Sequence, residues 1–333
     1  MQLKQIGEFR LIDIISKQTS KSPPSVIKGI GDDAAVVKAD TKQYLLITTD
    51  ILKEGVHFKK DYTSPYLLGK KCISVNLSDI AAMGGSPLYY FVSLSAPSDA
   101  SLEFIKKLYR GMDRQAKRFS TFLLGGDTIS SQGRISISIT LLGKAAKDSV
   151  IYRHGAKKGD NIYVTGCLGD SVLGLLMLKN NQKLSSKNPL IRKHLDPTPR
   201  IEEGKQIALR KIASSMIDIS DGLISDLRHI LTQSRVGAKI RLSCLPLSPQ
   251  YKKHCPEFSK DFYHPALCGG EDYELLFTAH PKNRAKLEKL SKQLKTPVTC
   301  IGEITGNPSE LVILDKNSRE ITLKEEGYSH FRF

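Results

Sequence analysis

Met216-Ile217-Asp218-Ile219-Ser220-Asp221-Gly222-Leu223 reads as a short apolar strand that breaks on Ser-Asp-Gly and continues as a helix to about Ser234. Ser220 is a candidate cap for that helix, and Asp221 suits the positive end of its dipole. Asp218, two residues before Ser220, lies on the same side of the strand. A helix N-terminus flanked by carboxylates suits a phosphate–metal assembly. The same punctuation recurs along the chain. Tyr44 to Thr49 is a β-rich run ending at Asp50, and Thr121 to Leu124 reads as a short buried strand ending at Gly125-Gly126-Asp127. Tyr273 to Ala279 is a strand that opens on Gly270-Glu271-Asp272. Strands that alternate with helices in this way argue for an α/β (or α+β) architecture.

The remaining elements follow from pattern. Ser64-Pro65 opens a helix that runs to about Met83 and stops at Gly84-Gly85. Leu102, Ile105, Leu108, Met112 and Phe119 mark a second, amphipathic helix. Ile135, Ile137, Ile139 and Leu141 alternate with polar residues, so that strand has one face in the core. At 333 residues the chain is too long for one typical core. Between Lys144 and Asp160 the apolar pattern lapses, which places two α/β domains at residues 1–147 and 148–333. In the second, Asn161 to Thr165, Val298 to Glu303 and Leu311 to Leu314 read as strands, Ser171 to Lys179 as a helix, and the polar stretch Lys183 to His194 as a mobile loop.

The net charge of +16 raises the question of nucleic acid. The lysines are scattered pairs such as Lys59-Lys60 and Lys70-Lys71, and between Lys282 and Lys295 they flank Leu287, Leu290 and Leu294 as a solvated helix face. No basic tail or aromatic-interleaved RNA signature accompanies them, so no nucleic-acid partner is expected. The six cysteines form no Cys-x-x-Cys pair and read as small reduced core residues. Met1-Gln2-Leu3-Lys4 opens no signal peptide, and the apolar run Val172 to Leu178 is too short to span a bilayer. A cytoplasmic protein without membrane contact is the expectation.

Leu68, Cys72, Val75, Asp79 and Ala82 share one face of the helix from Pro65, which puts Asp79 on an apolar face. A buried carboxylate is costly unless it is paired, hydrogen-bonded to backbone or bound to a metal. Asp33, Asp50 and Asp127 sit at comparable junctions in the first domain. Any one of them alone reads as a turn or cap residue. Together with Asp79 they read as a shared magnesium cluster, to which Thr48 and Thr49 add oxygen. There is no G-x-x-x-x-G-K-[ST] loop, no protein-kinase signature set and no full dinucleotide fingerprint after Gly29-Ile30-Gly31. Arg153, in Tyr152-Arg153-His154-Gly155, is a candidate phosphate contact, though a surface Arg is an equal reading from the residue alone.

Six motifs, in order, resemble the thiamine-monophosphate kinase family. They are Gly29-Ile30-Gly31-Asp32-Asp33-Ala34, Thr49-Asp50 through Gly55-Val56-His57-Phe58, Val75-Asn76-Leu77-Ser78-Asp79-Ile80-Ala81-Ala82-Met83-Gly84, Gly125-Gly126-Asp127-Thr128, Asp218-Ile219-Ser220-Asp221-Gly222-Leu223 and Gly269-Gly270-Glu271-Asp272-Tyr273-Glu274-Leu275. The resemblance implies a fold shared with aminoimidazole ribonucleotide synthetase and selenophosphate synthetase, with N-terminal domains pairing across a homodimer. It implies that ATP and thiamine monophosphate give ADP and thiamine diphosphate. By the same resemblance Asp33, Thr48, Thr49, Asp50, Asp79, Asp127, Asp218 and Asp221 look like magnesium ligands. Gly126, Asp127, Arg153 and Ser220 look like ATP contacts, and His57, Glu271 and Tyr328 like thiamine-phosphate contacts. Selenophosphate synthetase would need a reactive Cys or selenocysteine near the N-terminus, and Met1 to Gly29 holds no Cys; a hydrogenase-maturation relative would end in Cys, where this chain reads His330-Phe331-Arg332-Phe333. The chemistry suits the residues. A phosphate monoester is largely ionised at neutral pH, its second pKa being about 6, so no strong side-chain base is needed. Joining two polyanions calls for magnesium instead.

Overall fold

The computed structural model of the chain describes residues 8–18, 22–180, 187–323 and 327. Tyr328 lies outside the described residues. The first of two mixed sheets has the strand order β1-β2-β3-β6-β4-β5. Its strands are β1 Val26–Lys28, β2 Ala35–Lys38, β3 Gln43–Lys53, β4 Ser86–Pro97, β5 Phe122–Ser131 and β6 Ser136–Ala146. β3 and β6 form a long antiparallel ladder from Gln43↔Ala146 to Lys53↔Ser136. β4 and β5 run parallel at the edge.

Two helices, α2 Pro65–Ala82 and α3 Leu102–Arg118, cover the inner face of this sheet; a further helix, α1 Glu8–Gln18, precedes it. Ser64 caps α2 through its hydroxyl, which accepts the Leu67 N–H at 3.3 Å, and Pro65 fills the first turn as expected. α2 and α3 meet almost backbone to backbone. A Cβ on Gly69 would lie 1.9 Å from the Leu108 carbonyl oxygen, and one on Gly111 would lie 2.0 Å from that of Tyr66. α2 is buried nearly all round, because the second half of the chain packs on its other side.

The second sheet has the order β13-β12-β9-β11-β7-β10-β8. Its strands are β7 Asn161–Thr165, β8 Ser215–Asp218, β9 Gly237–Arg241, β10 Leu275–Ala279, β11 Val298–Thr305, β12 Leu311–Leu314 and β13 Glu320–Ile321. Only the β9–β12 pairing is parallel. Helices α4 Asp170–Asn180, α5 Pro189–Leu195, α6 Ile201–Leu209, α7 Leu223–Ser234, α8 Pro249–Phe258, α9 His264–Cys268 and α10 Arg284–Leu294 complete this half. On α10 Leu287 and Leu290 are buried while Lys286, Lys289 and Lys292 are exposed, the solvated face expected from sequence. Among the described residues no helix is long and apolar enough to cross a membrane.

Four expectations need correction. Asp50 does not end its strand; β3 continues through it to Lys53 because Ile51 and Leu52 extend the β6 ladder. β5 is longer than expected and is not buried: Phe122, Leu123, Leu124 and Ile129 are exposed on the sheet edge. An apolar run tells that a strand is covered but not by what, and among the described residues of one chain this strand has no neighbour beyond it. The stretch read as a loop to His194 contains α5, whose Asn188 side chain accepts the Leu190 N–H at 2.9 Å and whose Leu190, Ile191, His194 and Leu195 are buried; residues 183–186 lie outside the described residues. The cysteines form no disulfides, but only Cys72, Cys255 and Cys268 are buried, and Cys300 is exposed.

Candidate active site

Three carboxylates converge where the two halves meet. Asp33 comes from the loop before β2, Asp79 from α2 and Asp218 from the end of β8; one oxygen from each lies within 4.8 Å of the others. Neighbouring hydroxyls hold two of them in place. Thr48 donates to Asp79 Oδ2, and Ser78 donates to Asp218 Oδ2 at 2.6 Å. Asp50 and Asp221 stand close enough to act on each other electrostatically.

Burial sets the electrostatics of this group. It pushes Asp218 up to about 8, with Asp33 adding to the rise and the Ser78 hydroxyl opposing it. Burial likewise pushes Asp50 to about 6, with Asp221 and Asp33 adding repulsion. Asp79 rises well above the usual carboxylate range through burial and then through Asp50 and Asp218. Like charges this close cannot all ionise without a cation among them. Asp33 Oδ2 is buried and has no hydrogen-bond partner among the described residues. An all-oxygen donor set with an orphaned carboxylate oxygen suits a hard divalent cation.

Arg153 reaches this group from the second half of the chain. Its Nη2 and Nε donate to Asp33 Oδ1 at 2.6 and 3.2 Å, and its backbone N–H donates to Asp32 Oδ1 at 3.2 Å. Burial works against the guanidinium charge, but Asp33 and Asp32 more than offset it. Gln233 on α7 adds a bond from Nε2 to the Gly31 carbonyl at 2.7 Å, so the Gly31–Asp33 loop is held from the other unit.

The Ser220-Asp221-Gly222 turn is built differently from the expectation. Gly222, at φ +126°, occupies the cap position of α7, and Ser220 does not cap. The backbone N–H groups of Ser220, Asp221 and Gly222 donate to Asp226 Oδ2 at 3.1, 3.2 and 3.1 Å. The amides that sequence offers to a phosphate are thus taken by a buried carboxylate of the same helix. Ser220 and Asp221 face the cavity instead. An acidic residue in the first turn of a helix was the available signal for Asp226.

That cavity, about 760 Å³, is lined by Asp50, Asp79, Asp218 and Asp221 and also by His57 and Glu271. His57 Nδ1 accepts the Lys53 N–H at 3.0 Å, which leaves Nε2 as the donor of a neutral ring. Glu271 adopts a left-handed backbone at φ +64°, and Tyr273 does so at +49°. Such geometry in non-glycine residues persists only where the surroundings enforce it. Here the Glu271 and Tyr273 N–H groups donate to Ser220 and Ile219 carbonyls at 2.7 and 2.8 Å. Glu271 is paired with Lys71 at 2.9 Å and His194 at 3.2 Å. Burial opposes its charge, yet Lys71 and His194 hold its carboxyl below the usual range. Neither Lys71 nor His194 was singled out from sequence. Lys71 had a signal, since it precedes Val75 and Asp79 at four-residue steps.

Two expected ligands are not brought to the cluster within one chain. Thr49 points to the opposite face of β3 from Thr48 and Asp50; its hydroxyl donates to the Ile139 carbonyl at 3.1 Å and faces Thr140. Asp127 lies in the cross-strand row of Ile51, Ser138 and Ser93, one residue out of phase with the row of Asp50, Ile139, Val92 and Gly126. Its side chain therefore leaves the outer face of the sheet, where its Oδ1 accepts the Thr128 N–H at 2.8 Å.

The fold has known counterparts. Residues 31–145 match the AIR synthase related protein N-terminal domain and residues 157–315 the C-terminal domain of the same family. The thiamine-monophosphate kinase of Buchnera aphidicola subsp. Acyrthosiphon pisum is 42% identical over 328 residues, covering 97% of this chain and 98% of the relative. That of Escherichia coli K12 is 40% identical over 329 residues, covering 98% of each. A solved structure of AaThiL complexed with AMPPCP and TMP superposes with a TM-score of 0.86 at 36% identity, over 99% of both chains. The chain belongs to the AIR synthase related family and, within it, to the thiamine-monophosphate kinases.

Proposed function

We propose that the chain transfers a phosphoryl group from ATP to thiamine monophosphate, giving ADP and thiamine diphosphate. One observation carries the reading: the carboxylates of Asp33, Asp79 and Asp218 converge beside a cavity that His57 and Glu271 also line. The likeness to AaThiL, solved with AMPPCP and TMP, supports the same pair of substrates. An ATP-using enzyme of this kind works in the cytoplasm.

Asp33, Asp50, Asp79, Asp218 and Asp221 would hold magnesium, with Thr48 and Ser78 orienting two of these carboxylates. Magnesium, when bound, neutralises phosphate charge and supports in-line displacement. The chain's own residues supply position. Arg153 fixes Asp33 and presents a cation to the nucleotide phosphates. Asp226 fixes the turn that carries Ser220 and Asp221. Glu271 and His57 receive thiamine monophosphate, and Tyr328 joins them. No residue is assigned as a base, because the attacking phosphate oxygen is already ionised at neutral pH with a pKa of about 6.

The exposed edge β5, with Phe122, Leu123, Leu124 and Ile129 beside Tyr89 and Phe91, forms the surface of a homodimer. Open strand edges and contiguous apolar patches are the two features that a second copy removes. Gly126 and Asp127 then lie at the dimer interface and serve the nucleotide of the adjoining subunit. We take the domain boundary at residue 147, in the stretch between Ala146, where β6 ends, and Asn161, where β7 begins.

The test is formation of thiamine diphosphate from ATP, magnesium and thiamine monophosphate, run beside Asp218→Asn and Asp127→Asn. Magnesium-dependent product that disappears in both folded variants supports the reaction and both placements. No product from the folded wild-type protein refutes the reading.

A further inference from the structure

Lys71 is nearly fully buried, its side chain 1% exposed, and it carries a charge that the core of α2 does not need. A Met of similar length would fill the same space without the cost of desolvating an ammonium. Its Nζ lies 2.9 Å from Glu271 Oε1. His194, itself 2% exposed, stands 3.2 Å from Glu271 Oε2 through Nδ1. The same Nδ1 lies 3.2 Å from the Ser171 hydroxyl oxygen, and burial pushes the imidazole down to about 3, so a neutral ring faces Glu271. Each oxygen of Glu271 is therefore engaged by a different buried side chain. Each keeps a further lone pair, and the Glu271 side chain is 25% exposed, so it alone of the three opens on the cavity.

The helix connects this group to the acidic cluster. Lys71, Val75 and Asp79 follow at four-residue steps on one face of α2, and Val75 and Asp79 line the cavity. Eight helical residues span about 12 Å, so one rigid face presents a cation toward Glu271 and a carboxylate toward the cluster. The face is fixed by the close approach of α2 and α3 at Gly69 and Gly111.

We propose that Lys71, assisted by His194, is the positioning residue for Glu271, aiming its carboxylate at the cationic ring of thiamine monophosphate at a set distance along α2 from Asp79. The proposal rests on the reading of Glu271 as a substrate contact. Lys71 and His194 act through Glu271 and touch no substrate themselves.

Steady-state kinetics of the full chain with magnesium, ATP and thiamine monophosphate test it. Glu271→Gln is expected to raise KM for thiamine monophosphate roughly tenfold or more, leaving KM for ATP within about twofold, the signature of lost ground-state binding. Lys71→Met is expected to follow in the same direction with kcat within about threefold of wild type. Lys71→Arg, which keeps the charge but changes its reach, is expected to fall between, at about a threefold rise in KM. Lys71→Met combined with Glu271→Gln is expected to match Glu271→Gln alone, as for two residues acting through one contact. A folded Lys71→Met protein with wild-type KM, where Glu271→Gln raises it, overturns the proposal and leaves the reading of Glu271 standing. Unchanged KM in Glu271→Gln overturns that reading itself. If Lys71→Met does not fold, Lys71→Arg decides, and a KM equal to wild type overturns the proposal.

Discussion

Ser78 Oγ donates to Asp218 Oδ2 at 2.6 Å, joining residues 140 apart in sequence and tying α2 to the end of β8 at the acidic cluster. The bond is buried and ends on a carboxylate that would hold magnesium. Removing such a donor leaves the acceptor unsatisfied and costs about 1–3 kcal/mol. Ser78→Ala is expected to lower Tm measurably and to raise the magnesium concentration needed for half-maximal activity. Thermal melts and a magnesium titration of the rate check both. A variant with unchanged magnesium dependence would mean that Asp218 needs no orientation from α2.

Asp218→Asn should separate stability from activity. The wild-type carboxylate is buried among Asp33, Asp50 and Asp79, so the metal-free protein carries repulsion that the amide relieves. The variant in EDTA should melt at or above the wild-type temperature, yet magnesium should stabilise it much less. For wild type, magnesium at about a hundred times its Kd is worth about 2.7 kcal/mol. Scanning calorimetry with and without magnesium gives the comparison, and equal magnesium-induced shifts in the two proteins count against the assignment.

His229, on α7, gives the acid side of stability a specific source. Burial, with Arg153 beside it, pushes its pKa from 6.5 down to about 4. Between these values the unfolded chain binds a proton that the folded protein does not. Its contribution is therefore complete above pH 6.5 and is lost as pH falls toward 4, by no more than about 3 kcal/mol. Urea unfolding across this range should show wild type losing stability more steeply than His229→Gln as pH falls. Parallel curves would place the ring in water.

Gly69→Ala is expected to be far worse than its chemistry suggests. The added Cβ would lie 1.9 Å from the Leu108 carbonyl oxygen, so α2 and α3 must part. Overpacking of this kind typically costs about 1–3 kcal/mol. The displacement would also carry Asp79 away from Asp33 and Asp218. Loss of activity together with the stability change, read by chemical unfolding and turnover, distinguishes this from an exposed helix, where Ala in place of Gly stabilises.

Much of this arrangement was legible in local pattern. Ser64-Pro65 and Gly84-Gly85 bracket α2, and the helical phase of Asp79 with Cys72 and Val75 put a carboxylate on a packed face. Asp33 and Asp218 were marked by the same logic of acid beside small residues. What escaped depended on partners far along the chain. β5 has the composition of a covered strand, and only the sheet order makes it an edge. Lys71 looked like half of a surface lysine pair until Glu271 and His194 arrived beside it. Asp226 carried only the signal of an acid in the first helical turn, and its role, occupying amides that the turn offers a ligand, depends on the folded turn. Thr49 was legible in part, since the two-residue alternation of β3 sends it to the face opposite Thr48 and Asp50, whereas the face of Asp127 follows only from the register across β6 and β4.

The division of the cluster between two sheets has a consequence for how the chain is made. Asp33 and Asp79 emerge from the ribosome long before Asp218, and Arg153 is threaded between them in time. A half-finished chain can gather the first two carboxylates but not the third, nor the Glu271 loop that lines the cavity. Until the second sheet has folded and docked on α2, the nascent protein has no complete place for a triphosphate.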